Sequence, residues 1–296
     1  MKQYISFLLR FTVTVLLILY LFKKIDFSHV LNSLTLINPV VFLITSFLYI
    51  LSSFISTLRW RIFLDFQDIK TSKLFSLYLI GTFFNIVLPG IIGGDIVKIF
   101  ILREKTGLKR ALASVFMERY IGLAALLCIG FILFCLFYTK LPKHMLIWSV
   151  PACFLGFIIG NIFLLKFGKI RILREWRDFV LSFSKKQITK AFFFSIIIQL
   201  IVITSSYIIF IELNLSISFF ELAIFMPIII LISMLPISVS GIGVREWCFV
   251  LFFGDSLGSA NVVAASFLWF LSQVFASLIG GVEYLRVKNL LNIKKE

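Results

Sequence analysis

Charge is what this sequence has least of. Of its 296 residues, 15% are Asp, Glu, Lys or Arg, against about 25% in an ordinary globular domain. With 14 acidic residues and two histidines, it has too little polar surface to clothe a water-soluble fold of this size. The four cysteines (Cys128, Cys135, Cys153 and Cys248) lie in or beside apolar runs, without short paired spacing or a neighbouring His, so neither a disulfide framework nor a thiolate metal site follows. His29 and His144 are far apart. Nothing has the spacing of a catalytic triad, a P-loop or a zinc signature, so no catalytic residue, cofactor or metal is expected. What the chain has instead is 60% hydrophobic residues, 36 Phe and a mean hydropathy of +1.07. It reads as a polytopic membrane protein.

Eight apolar stretches are found at roughly 4–22, 39–57, 74–92, 113–138, 147–167, 191–211, 221–239 and 262–285. The first has a basic start, but Tyr20-Leu21-Phe22-Lys23-Lys24 follows it where a small-residue cleavage site would stand, so it is expected to remain as the first membrane helix. The net charge of +15 is distributed between apolar runs, with no aromatic-basic nucleic-acid module. Topology and anionic head groups account for it, and no nucleic acid partner is expected.

The third and seventh stretches end differently from the others. They run into Leu88-Pro89-Gly90-Ile91-Ile92-Gly93-Gly94-Asp95 and Leu235-Pro236-Ile237-Ser238-Val239-Ser240-Gly241-Ile242-Gly243-Val244-Arg245-Glu246, and Pro and Gly interrupt helices. The two Leu-Pro pairs are 147 residues apart, and the same offset carries the first four stretches nearly onto the last four. This implies one membrane domain, 1–296, built of two repeats at about 1–140 and 147–290.

If all eight stretches span, 12 of the 29 Lys and Arg fall inside and 17 outside, against the positive-inside rule. If the third and seventh are re-entrant hairpins, 24 fall inside, and only Lys23, Lys24, Lys140, Lys143 and Arg245 stay outside. The expected fold is therefore all-α, with six spanning helices, two re-entrant helical hairpins, inverted repeats and both termini cytoplasmic. The longest polar connection, about Lys166 to Lys190, carries eight basic residues that suit an anionic inner leaflet and is too short for a catalytic core.

Irregular backbone at membrane depth must be buried in protein or line a watery cavity, so the two Pro/Gly turns should face each other. Pro89, Gly90, Gly93, Gly94, Pro236, Gly241 and Gly243 would shape them. The half-helices that follow would aim their N-termini at the membrane centre, a favourable place for an anion, and Arg245 would add a full charge there. Asp95 and Glu246 would balance it, or would bind Arg245 and merely pin the hairpins. Lys98, Glu118 and Arg119 could line the cytosolic half of a head-group path, or Glu118 and Arg119 could snorkel at a helix end. Arg59-Trp60-Arg61 reads as interface anchoring, with phosphate contact by Arg59 as the alternative. Asn85, Gln199, Gln273 and Glu283 fit interhelical hydrogen bonding, with Glu283 spaced to meet Arg286.

Leu-Pro-Gly-x-x-Gly-Gly-Asp-x-x-Lys at 88–98, Glu118-Arg119-Tyr120-Ile121-Gly122-Leu123, Arg59-Trp60-Arg61 and Leu-Pro-Ile-Ser-x-x-Gly-x-Gly-x-Arg-Glu at 235–246 together resemble the lysylphosphatidylglycerol synthase transmembrane region, a flippase-like family. The likeness runs over essentially the whole chain. In the bacterial multiple peptide resistance factors such a domain moves aminoacylated phosphatidylglycerol between leaflets, giving resistance to antimicrobial peptides, while a separate cytosolic domain attaches the amino acid. The resemblance implies a bacterial inner-membrane translocator of an anionic or aminoacylated phospholipid and argues against aminoacyl transfer by this polypeptide, so that no enzyme is expected, with an enzyme that synthesises lysyl-lipid as one rival reading. Stand-alone members accompany glycosyltransferases or polyprenyl-phosphate pathways, so the partner lipid could also be of polyprenyl-phosphate type. The other rival reading is a scaffold for a lipid-modifying enzyme or glycosyltransferase. A homo-oligomer is compatible with either. At position 98 Lys stands where the family more often has Arg, which keeps the charge but loses planar bidentate phosphate recognition.

Overall fold

The computed structural model describes residues 37–64, 69–87, 93–140, 145–166, 171–235 and 240–293, with residues 12 and 238 besides. The first apolar stretch and the turn residues Pro89, Gly90 and Pro236 lie outside the described residues. Among those described there are ten α-helices and no strand. In chain order they are α1 (Pro39–Leu64), α2 (Thr71–Val87), α3 (Gly93–Thr106), α4 (Leu108–Phe137), α5 (Ser149–Lys166), α6 (Arg171–Leu181), α7 (Lys185–Glu212), α8 (Phe219–Met234), α9 (Val244–Leu257) and α10 (Ser259–Ile293).

Four of them, α1, α4, α7 and α10, are long and apolar enough to cross a bilayer. The helices on either side of the two Pro/Gly breaks are shorter. Helices α2 and α3 have 17 and 14 residues, and α8 and α9 have 16 and 14, each below the roughly 20 that a spanning helix needs. Between Lys166 and Lys190, where the sequence reading has only a polar connection, the chain forms α6. Its last turn carries Phe179 and Val180, which with Phe183 pack on Phe63, Met117 and Ile121.

Local chemistry explains where the helices start. Pro39 opens α1, with Asn38 Oδ1 accepting the Val40 N–H at 2.9 Å, and proline suits the first helical turn because its missing N–H would have no partner there. Ser184 and Gln187 form a reciprocal capping box at the head of α7, satisfying two otherwise orphan donors. In α1 the buried face is mainly Ser and Thr, and the hydroxyls of Thr45, Ser46, Ser52, Ser53 and Thr57 donate to carbonyls three or four residues back. Small, internally satisfied side chains let α1 lie close along α7, as helices do where lipid supplies no hydrophobic drive.

Packing between the halves is reciprocal: α2 lies on α10, α8 lies on α4, and α1 lies on α7. The approaches are close. A Cβ on Gly280 of α10 would fall 1.9 Å from the Leu79 carbonyl oxygen of α2, and a Cβ on Gly130 of α4 would fall 2.6 Å from the Pro227 ring of α8. The largest apolar cluster gathers Phe210, Phe225, Phe249, Phe253 and Trp269 from α7 to α10. A smaller one around Trp60, Leu64, Leu74, Leu77 and Leu102 holds α1, α2 and α3 together.

Candidate functional site

Five charged side chains from three helices meet in the interior. Arg59 of α1 donates from Nη2 to Glu118 Oε1 at 2.7 Å, and Lys98 of α3 reaches Glu118 Oε2 at 3.3 Å and Asp95 Oδ1 at 2.9 Å. Arg119 donates from Nε to Asp95 Oδ2 at 2.9 Å. Lys98 and Glu118 are 2% and 1% exposed, so neither charge could stay ionised there without the others. The surroundings complete the coordination. Tyr78 donates its hydroxyl to Glu118 at 2.9 Å and Arg59 donates to Ser195 Oγ at 2.9 Å. The Lys98 ammonium sits 4.5 Å from the Tyr78 ring centroid and 5.2 Å from that of Trp60, within cation–π range. Trp60 is fully buried and donates its indole N–H to Ser114. It packs against its neighbouring helices inside the protein, where the sequence suggested an exposed anchor.

Arg245 stands apart from this cluster. It is 6% exposed, its Nη2 donates to the Ser240 carbonyl at 3.3 Å, and its Nη1 has no hydrogen-bond partner. Its guanidinium lies 4.4 Å from the Phe270 ring centroid and 5.7 Å from that of Trp269. Among the described residues no carboxylate forms an ion pair with it. Asp95 is taken by Lys98 and Arg119. The Glu246 carboxylate accepts the Gly243 N–H at 2.7 Å and the Ser266 hydroxyl at 3.0 Å, so it caps its own helix.

The two broken segments touch. Ser240 donates its hydroxyl to the carbonyls of Asn85 and Ile86, at 3.2 and 3.3 Å. Gly241 and Gly243 have φ of 77° and 82°, a left-handed backbone that glycine adopts without steric cost. Gly94 lies so close to α2 that an added Cβ would fall 1.8 Å from the Gly81 carbonyl oxygen. Amides at both half-helix starts are already engaged: Asn85 Oδ1 accepts the Gly94 N–H at 2.8 Å, and Glu246 accepts that of Gly243. An anion at the half-helix starts would therefore find these two amides already taken. The polar side chains that could otherwise leave them open fold back onto them.

Two adjoining cavities, of about 300 and 220 Å³, lie beside these residues. Arg59, Glu118 and Gln199 line the larger, Arg245, Asn85 and Ser240 the smaller, and Tyr49, Arg119, Trp269 and Gln273 line both. Asp95, Lys98 and Glu246 are behind the wall. No group of three or more His, Cys, Asp or Glu that could hold a metal occurs among the described residues. Tyr49, Tyr78, Trp269 and Phe270 escape a reading of sequence because aromatic residues in apolar runs look like lipid-facing ones.

The fold and this charged interior define a multi-pass α-helical membrane protein. More specifically, residues 7–281 match the family described as the lysylphosphatidylglycerol synthase TM region, and the chain belongs to that family. No curated protein matches it.

Proposed function

We propose that the protein moves an anionic or aminoacylated lipid, such as lysyl-phosphatidylglycerol or a polyprenyl phosphate, between the leaflets of a bacterial inner membrane. In this reading it does no covalent chemistry of its own. The observation that carries the proposal is Arg245. A buried guanidinium with an unpartnered nitrogen and no ion-paired carboxylate is costly in a membrane interior, and a ligand phosphate in the smaller cavity would meet that cost with charge-assisted hydrogen bonds.

The architecture supports transport through two inverted repeats with re-entrant hairpins. Under the offset of 147 residues, α2 corresponds to α8 and α4 to α10, so the α2–α10 and α8–α4 contacts exchange. Helix α1 corresponds to α7, which it packs against. The short α2/α3 and α8/α9 pairs and the 24-to-5 charge split agree with the same topology, with both termini in the cytoplasm.

Leaflet-resolved movement of labelled lipid in liposomes holding the purified protein tests the proposal, alongside Arg245→Ala and Asp95→Asn. Movement that the wild type supports and the variants lose is the expected result. Folded protein that moves no lipid would leave a scaffold for a lipid-modifying enzyme or glycosyltransferase as the better account.

A further inference from the structure

Resting on that proposed function, we infer that the cavities select a lipid phosphate without an amine, and that an aminoacylated lipid is a poor ligand. The charge of the walls is the first observation. Arg59, Arg119 and Arg245 line the two cavities against one acid, Glu118. That acid already faces Arg59 at 2.7 Å, Lys98 at 3.3 Å and the Tyr78 hydroxyl at 2.9 Å. Asp95 and Glu246, the other buried acids nearby, are held by Lys98 and Arg119 and by Gly243 and Ser266 respectively. A ligand ammonium entering here would find no free carboxylate.

The aromatic walls give the second observation. Aromatic faces are the other common seat for an alkylammonium, and here the protein's own cations occupy most of them. Lys98 sits over Tyr78, while Arg245 sits over Phe270 and is near Trp269. Among the described lining rings only Tyr49 has no protein cation over it.

The chemistry of the lipids then decides. A lysyl ester of phosphatidylglycerol carries one phosphodiester charge and two ammonium groups, so it brings net positive charge to a positively charged wall. Unmodified phosphatidylglycerol and a polyprenyl phosphate bring only negative charge. Both can place phosphate oxygens against Arg245 and Arg119, whose planar guanidinium groups suit them. Arg119 is suited to the exchange because its side chain is 34% exposed and it borders both cavities.

The test compares three probes in one preparation: labelled phosphatidylglycerol, its lysyl derivative and a polyprenyl phosphate. Leaflet-resolved movement is measured in liposomes, and binding of the same lipids to the detergent-solubilised protein is measured by native mass spectrometry. One or both anionic lipids should bind and move at least about tenfold better than the lysyl lipid, and the better of the two identifies the source of the phosphate. Arg245→Gln should erase that preference and Arg245→Lys should restore part of it. Equal or better handling of the lysyl lipid overturns the inference and leaves translocation standing. Anion-selective binding without movement upholds the ligand class and overturns translocation. Neither binding nor movement overturns both.

Discussion

Glu118 and Arg245 are both buried ionisable residues, yet their substitution should have opposite signatures. Glu118 joins Arg59, Lys98 and Tyr78, so Glu118→Ala strands Arg59 and leaves Lys98 with Asp95 alone. Breaking a buried pair from one side costs about 3–5 kcal/mol, and thermal unfolding in detergent should show a drop of that order, whatever happens to transport. Arg245 leaves no ion-paired carboxylate behind. Arg245→Ala should therefore unfold within about 1 kcal/mol of the wild type while losing lipid movement. If Arg245→Ala proved as destabilising as Glu118→Ala, Arg245 would be a structural residue and the proposed anion site would fall. These partnerships were only partly legible in the sequence. The ionisable residues stand out in apolar runs, but a choice between Arg119 and Arg245 as partner for Asp95 depends on how α3, α4 and α9 pack. That Glu246 would cap Gly243, three residues before it, is local and could have been read from the helix-start spacing.

Helices in this molecule approach most closely at glycine, and the consequences differ sharply from one glycine to the next. Gly94 has the Gly81 carbonyl oxygen of α2 where its Cβ would be, 1.8 Å away, so Gly94→Ala must push α3 off α2. Overpacking of this kind costs about 1–3 kcal/mol or more, and it would also shift Lys98 from Glu118 and Asp95 from Arg119. Gly156 of α5 has nothing within 4 Å of the same position. Gly156→Ala should leave the melting temperature unchanged or raise it slightly, since alanine is the better helix former by about 1 kcal/mol. Equal melting temperatures for the two variants would mean that α2 and α3 are not in contact as described. At this scale the sequence is informative about helices and poor about contacts. Long apolar runs declare α1, α4, α7 and α10, and Pro and Gly mark where the third and seventh stretches break. Helix α6 was missed because its apolar residues are spaced among five charges, and a polar segment without a long apolar run resembles a loop.

For the whole chain, the decisive question is whether the halves are inverted, since an inverted pair presents its two hairpins to one central space from opposite sides. The exchange symmetry of the contacts, with α2 on α10 and α8 on α4, fits two related halves but is blind to the membrane. The side of the membrane on which α3 and α9 end settles it. Lys105 near the end of α3 and Asp255 near the end of α9 are both exposed, so a cysteine at either position would be open to a water-soluble maleimide on its own side. The four native cysteines are free and must first be replaced, Cys248 by a residue small enough for its fully buried place. In intact cells an impermeant maleimide should label Asp255→Cys and leave Lys105→Cys untouched, and permeabilisation should expose the second. This pattern follows from three crossings per half together with a positive cytoplasmic face. Labelling of both cysteines from one side would require an even number of crossings between them. The halves would then run parallel, Arg245 and Asp95 would approach the membrane centre from the same leaflet, and alternating access across a shared central cavity would lose its structural basis.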